Sequence, residues 1–380
     1  MRRRDFSGLI AATAVTLSLP ATAQETLKIP GVFELSGAGA ISGTNFRDGL
    51  VLAIDDINGA GGVLGKKLVL ESIDTASDPG KARSAIQRAL DDKPVVIFGP
   101  IFSGSVNATL PLTKEAQVPH IIGGEAANLT SQGSKYIFRT SFGQNVSMPK
   151  IANYLRDGLK AKSLAIVYVN NDFGKGDRNA IMDVLESRGI KMVADLSTES
   201  AQADFAADIV KLKSANADAV FVYLNEEESG RFLIEAKKQG FDKPLIGETT
   251  LLGQKVVDLA KDAANGVRGH VGLTIDAPSP LVEAFAKKFT AKYKYKADHN
   301  GMKGYIGAFL FKTAAEKVGK LDPIAIASAM HGLTITPDKV PGILIEATWD
   351  DVGEIDRISY LAEIKDGKQV ITETLPKLKP

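Results

Sequence analysis

The chain has 380 residues, no cysteine, 46 basic and 45 acidic side chains, a hydrophobic content of 44% and a charged content of 24%. This is the composition of a soluble globular protein with room for two domains, each with its own core. A net charge near zero without a basic cluster argues against nucleic acid as the main partner, and the lack of thiols excludes disulfides, thiol catalysis and cysteine metal sites.

In chain order, Arg2–Arg4 precede an apolar run, 9–19, and then Ala21-Thr22-Ala23. This reads as the charged, apolar and small-x-small parts of a secretory signal, with cleavage expected after Ala23. Arg3-Arg4-Asp5-Phe6 also fits a twin-arginine pattern, so the general and twin-arginine routes both lead to an expected periplasmic location. No later segment approaches the ~20 apolar residues of a membrane span.

After the signal, apolar strand-like runs alternate with amphipathic helical runs. Strands are expected at 27–35, 67–73, 95–98, 120–122 and 137–139. Helices are expected around Phe46–Ile57, from Asp78-Pro79 to Leu90, at 109–116 and at 149–159. The alternation then restarts, with strands at 163–169, 191–195, 219–224 and 244–246 and helices at 177–188, 205–214 and 230–239. Helices between successive strands predict parallel sheets covered on both faces, and the restart predicts two sheets. The tail breaks the rule: a strand at 269–274 leads into helices at 279–293 and 304–318. Strands then follow at 343–349 and 358–365, with Asp366-Gly367 turning a hairpin into 368–372.

One stretch, Asn58–Leu68 (NGAGGVLGKKL), suggests a phosphate loop, but Ala60 and Lys67 stand where that motif needs Gly and Ser or Thr. Its glycines are read instead as the reversal from the first helix into the second strand. The four histidines, His120, His270, His299 and His331, lack metal-ligand spacing and are read as structural or solvent-facing. No G-x-S-x-G occurs, and Gly37, Gly39 and Gly43 miss the dinucleotide spacing by one residue. The chain is therefore not expected to be an enzyme or to carry a metal or cofactor.

The segment Ala53–Leu68 fits A-x-x-x-I-N-x-x-G-G-(I/V)-x-G-x-x-L and resembles periplasmic leucine/isoleucine/valine-type binding proteins, the receptor subunits of one class of ABC importer. The likeness continues through Ser36-Gly37, Asp74–Pro79, Gly99-Pro100 to Gly104, Asn128–Thr130, Arg139-Thr140, Val167–Gly174 and Thr348–Asp350. It implies an α/β, type I periplasmic-binding fold: two doubly wound parallel-sheet lobes joined by three crossovers near 141–146, 271–276 and 340–346. The first lobe would hold 24–143 and 274–343, the second 144–273 and 344–380. It further implies a monomer that takes a small-molecule ligand and meets membrane permease subunits, with ATP hydrolysed elsewhere. The same fold serves periplasmic sensors of signalling systems, which is the alternative reading.

The resemblance places ligand contacts in strand-end loops. Ser42 stands where an aromatic lid often sits, and Phe102 occupies a first serine position, with Ser103 next to supply a hydroxyl or cap a helix. Glu125 replaces the usual threonine, so it either meets a cation or hydroxyls or turns outward. Phe173 matches a stacking aromatic or belongs to the core. Asn225 and Glu248 match second-lobe contacts, while Met302 and Tyr305 stand near the cleft mouth or pack their helix. With two acids and an incomplete Ser/Thr pair, the expected ligand is polar or aromatic-polar, with an amine, amide or several hydroxyls.

Overall fold

The computed structural model describes residues 24–378; the expected export signal, residues 1–23, lies outside the described residues. Strand pairing sorts the chain into two large sheets and one small one. The first contains β1 (Thr26–Phe33), β2 (Lys67–Asp74), β3 (Ile97–Phe98), β4 (His120–Ile122) and β5 (Ile137–Arg139), in the order β2-β1-β3-β4-β5. Every pairing in it is parallel. Successive side chains point to opposite faces, and both faces are apolar. Val32, Ile97 and Ile122 meet α2 (Pro79–Asp91) and α3 (Ser103–Ala116). Phe33, Phe98, Ile121 and Phe138 face α1 (Ala40–Gly59) and the later helices α9 (Pro280–Tyr293), α10 (His299–Val318) and α11 (Pro323–Met330).

The second sheet contains β6 (Ser163–Val169), β7 (Lys191–Thr198), β8 (Ala219–Tyr223), β9 (Leu245–Gly247) and β10 (Arg268–Val271), all in parallel. On one face lie α4 (Gln144–Asp157) and α5 (Asp172–Leu185); on the other lie α6 (Ala206–Ala215), α7 (Glu226–Lys238) and α8 (Gln254–Ala260). The late hairpin, β14 (Ser359–Lys365) and β15 (Lys368–Leu375), joins it antiparallel through β10, giving β15-β14-β10-β9-β8-β6-β7. Its turn has Asp366 and Gly367 both at positive φ, 50° and 69°, as a two-residue hairpin requires. The fold is thus the mixed α/β, two-sheet arrangement expected.

The small sheet, β11 (Thr334–Ile335), β12 (Ala347–Trp349) and β13 (Ile355–Asp356), differs from expectation. The resemblance places residues 344–356 in the second lobe, but Ala347, Trp349 and Ile355 bury into the core of the first. Trp349 is fixed there by an indole N–H donated to the carbonyl of Arg139 at 2.6 Å. The chain therefore enters the second sheet only at β14.

The glycine-rich reversal after α1 is not part of the lining of the cleft. Asn58 closes it by accepting from the Leu68 N–H (2.7 Å) and donating to the Leu68 carbonyl (2.9 Å). Gly62 sits at φ 84°, where a Cβ would lie 2.0 Å from the Lys66 carbonyl oxygen. Parallel strands leave the carboxyl ends of both sheets to lead into helix N-termini, and those first turns face one another across the space between the lobes.

Candidate functional site

Between the lobes lies a cavity lined from both sides. The first lobe lines it with Ser42 from α1, Phe102 and Ser103 at the start of α3, and Glu125 from the loop after β4; the first turns of α10 add His299, Asn300 and Lys303. The second lobe adds Phe173 from α5, Asn225 and Glu226 at the start of α7, and Thr250 after β9.

On the first-lobe side, buried carboxylates and one buried guanidinium fix the loops. Glu34 follows β1, and burial raises its pKa although its oxygens accept from the N–H groups of Ile101 (3.0 Å) and Phe102 (3.2 Å). Arg139 is fully buried; it donates to the carbonyls of Gly124 (2.7 Å) and Ala126 (2.5 Å) and pairs with Glu354 at 3.0 Å. The Ser103 hydroxyl oxygen accepts from the N–H groups of Glu125 (3.3 Å) and Ala126 (3.1 Å). Glu125 is thereby held with its carboxylate inward, 2.6 Å from the Lys303 ammonium and 3.3 Å from the Ser141 hydroxyl. Lys303 also donates to the Gly123 carbonyl (3.3 Å) and the Asn300 side-chain oxygen (3.1 Å). Burial pushes the Glu125 pKa up, and the nearby ammonium offsets part of that rise.

The position of Lys303 follows from the cap of its helix. Asp298 accepts from the N–H groups of Asn300 (2.7 Å) and Gly301 (3.2 Å), starting α10 where its first turn meets the cleft. Burial, with the Glu226 carboxylate nearby, raises the Asp298 pKa to about 7. Burial and then the Lys303 charge push His299 well below the usual imidazole range, so it presents a neutral ring to the cavity.

On the second-lobe side, Asn171 caps α5 by accepting from the Gly174 N–H at 3.0 Å, which sets Phe173 over Tyr223 with centroids 4.3 Å apart and planes inclined 25°. Gln144 donates to the Phe173 carbonyl (2.8 Å) and the Tyr223 hydroxyl (3.1 Å). Asn225 precedes α7 and donates to Glu228 at 3.2 Å. Glu226 opens that helix, where the backbone N–H groups favour a negative charge. One of its oxygens accepts the Ser42 hydroxyl at 2.8 Å, so a hydrogen bond crosses the cleft directly. At the rim Asn107 of α3 donates to Asp172 of α5 at 2.7 Å.

Behind Phe173 lies Asp177, fully buried, with no hydrogen-bond partner for either carboxyl oxygen. Its burial, then Glu248 and Glu125, push its pKa well above the carboxylate range. Glu248 has both oxygens engaged, one 2.8 Å from His270 Nδ1 and the other accepting the Thr249 N–H at 2.5 Å.

Six of the nine residues singled out from the sequence therefore line the cavity: Ser42, Phe102, Ser103, Glu125, Phe173 and Asn225. Three do not. Met302 and Tyr305 face the core on the opposite side of α10 from Lys303; Met302 is fully buried, and the Tyr305 hydroxyl donates to Asp56 at 2.8 Å. Glu248 lies behind the cavity wall on His270. Glu125 meets a cation, but one supplied by this chain. The sequence alone does not single out Glu226, Thr250, Asn300 or Lys303, and it reads His299 as structural or solvent-facing, whereas the ring lines the cavity. The capping Asp298 was the available signal for the early start of α10.

A family model of periplasmic binding proteins matches residues 26–369. The chain belongs to that family. The binding protein is 27% identical over 331 residues to the leucine-, isoleucine-, valine-, threonine- and alanine-binding protein of Pseudomonas aeruginosa, across 87% of this chain and 88% of that one. Among solved structures it resembles LivJ, the branched-chain amino acid transporter substrate-binding protein of Streptococcus pneumoniae in complex with isoleucine. That likeness has a TM-score of 0.83 and 26% identity, covering 94% of this chain and 100% of the other. A solute-binding protein of an ABC transporter from Rhodopseudomonas palustris, in complex with 3,4-dihydroxybenzoic acid, shares the fold at a TM-score of 0.84 and 24% identity, over 93% of this chain and 98% of that one. Among the described residues of this chain no helix is long and apolar enough to cross a membrane, and no acid or histidine cluster is arranged to hold a metal ion.

Proposed function

We propose that this binding protein is an exported, monomeric periplasmic receptor that closes on a small polar or aromatic-polar solute, of amino-acid, amide or amine type, and delivers it to the permease of an ABC importer. The observation that carries the reading is the cavity built from helix N-termini of both lobes and bridged across by Ser42 and Glu226. The lobes act as two bodies hinged where the chain passes between the sheets, and contacts from both sides stabilise the closed form.

The lining supports this ligand class. Phe102 and Phe173 offer apolar faces for the body of a solute, while Asn225, Thr250, His299 and Asn300 offer hydrogen bonds. Glu125 is neutralised by Lys303, so it does not bar a ligand carboxylate as an unpaired acid would. Glu226 places a carboxyl at the cavity wall whose hydrogen bond across the cleft comes from the Ser42 hydroxyl; burial raises its pKa and that bond offsets part of the rise.

A thermal-shift screen over amino acids, amides, polyamines, aromatic acids and sugars tests the proposal. A solute present at a thousand times its Kd stabilises the fold by about 4 kcal/mol, a shift of several degrees. The hit should then increase uptake into vesicles that contain the cognate permease. A hit that binds without increasing uptake would refute the importer role, and a screen with no stabilising solute would refute the ligand class.

A further inference from the structure

Glu125 and Lys303 line the same first-lobe wall of the cavity, but they do not present themselves to it equally. The ammonium group directs its three protons into the lobe, to Glu125 Oε1 (2.6 Å), the Gly123 carbonyl (3.3 Å) and Asn300 Oδ1 (3.1 Å), and its side chain is 2% accessible. The Glu125 side chain is 9% accessible. Both hydrogen bonds to its carboxylate, from Lys303 and Ser141, fall on Oε1. Among the described residues nothing donates to Oε2, which is not sealed in the interior and so meets the open space. Two donors belong to the same wall. The Ser103 hydroxyl oxygen already accepts two N–H groups, so its proton is what it has left to offer. An ammonium donates and never accepts, so Lys303 fixes the Asn300 side chain with Oδ1 toward itself and leaves the NH2 group for another partner.

We propose that this wall takes an uncharged carboxamide of the solute, its oxygen receiving from Ser103 and Asn300 and its N–H donating to Glu125 Oε2, so that the receptor selects amides over the matching carboxylates and amines. The inference rests on the cleft being the solute site and narrows the ligand class proposed for it. A carboxylate in the same place would set an oxygen against Oε2, two acceptors with no proton between them in a site largely shielded from water. Pairing with Lys303 cancels the charge of Glu125 at a distance, so the contact itself decides. Lys303 could reach a carboxylate by leaving Glu125, but that would strand a buried acid beside the anion. An ammonium would satisfy Oε2 and then face the Ser103 and Asn300 donors and the Lys303 charge. A carboxamide accepts and donates on adjacent atoms and leaves none of the three groups unmatched. Sites built around such buried polar partners reject analogues that lack the matching group far more strongly than apolar pockets do.

The test compares matched sets by calorimetry: benzamide with benzoate and benzylamine, and 4-methylpentanamide with 4-methylpentanoate and 4-methylpentylamine. For wild type the amide of at least one set should bind roughly 10- to 100-fold tighter than its acid and its amine, the range of a hydrogen bond to a charged group. Glu125→Gln offers an NH2 group where Oε2 stood and frees Lys303, so the acid should gain at least about 10-fold and the order of amide and acid should close or reverse. Glu125→Gln with Lys303→Met removes both charges together and keeps the test open should the single variant fold poorly. In that variant the gap between amide and acid should also shrink, because the opposed oxygens are gone. A gap unchanged in both variants, or wild-type preference for the acids or the amines, overturns the amide assignment and leaves the solute site standing. Retention of no member of either set overturns both.

Discussion

Lys303 carries its ammonium group into the first lobe from the opening turn of α10, where two neutral acceptors and one buried carboxylate receive it. Neither partner of the Glu125 pair is exposed to any extent that would let water replace the other; their side chains are 9% and 2% accessible. Removing one partner of such a pair leaves an uncompensated charge in a low-dielectric site, which costs about 3–5 kcal/mol, whereas removing both is often close to neutral. Lys303→Met should therefore lower unfolding stability in urea by that amount. Adding Glu125→Gln to it should restore most of the loss. Equal stability of the single and double variants would mean that Glu125 already carries a proton when alone, consistent with the upward push of its burial.

At the scale of elements, the strands were legible, and so were helix starts away from the cleft such as those of α2, α6 and α9, but the helix starts at the cleft were not. Runs such as 120–122, 137–139 and 163–169 coincide with observed strands, because two-faced burial leaves them continuously apolar. The helices α3, α5, α7 and α10 begin at Ser103, Asp172, Glu226 and His299, four to six residues before the starts expected from apolar periodicity at 109, 177, 230 and 304. The reason is the same each time. A first turn that projects past the sheet into the cleft has no core to face, so it carries polar residues and no helical stripe. Those unpatterned turns hold Ser103, Phe173, Glu226, His299, Asn300 and Lys303, nearly half of the cavity wall. The reversal after α1 shows the converse, since its glycines announce the conformation they serve. Gly62→Ala meets both positive φ and the Lys66 carbonyl and should destabilise by about 1–3 kcal/mol. Gly59→Ala, at the end of α1 with nothing within 4 Å of a new Cβ, should be neutral or stabilise by up to about 1 kcal/mol. Matching melting temperatures for the two variants would contradict this account of the turn.

Across the whole molecule, the three passages between lobes converge on one ring. Phe142 lies on the first passage and stands 5.6 Å from the His270 ring at the end of β10, where the second begins. The Arg357 guanidinium on the third lies 5.1 Å from its centroid, and the Lys150 ammonium of α4 lies 4.8 Å from it. Gly272 leaves room for the ring, since a Cβ there would come within 2.6 Å of it. His270 in turn holds Glu248 behind the cleft wall, so the hinge and the site share a continuous set of contacts. Phe142→Leu keeps an apolar side chain but removes the face on which two cations rest, each contact worth about 0.5–2 kcal/mol. Part of that loss falls on the closed arrangement, and the apparent Kd rises as the competent fraction falls. The expected outcome is affinity weakened roughly 10-fold with no cleft residue altered, together with a larger radius of gyration in solution scattering of the ligand-bound protein. Ser42→Ala removes the cross-cleft bond itself and should act in the same direction without touching the hinge. Unchanged affinity and unchanged scattering for Phe142→Leu, beside a clear effect of Ser42→Ala, would locate the closing energy in the cleft alone and remove the hinge ring from the mechanism.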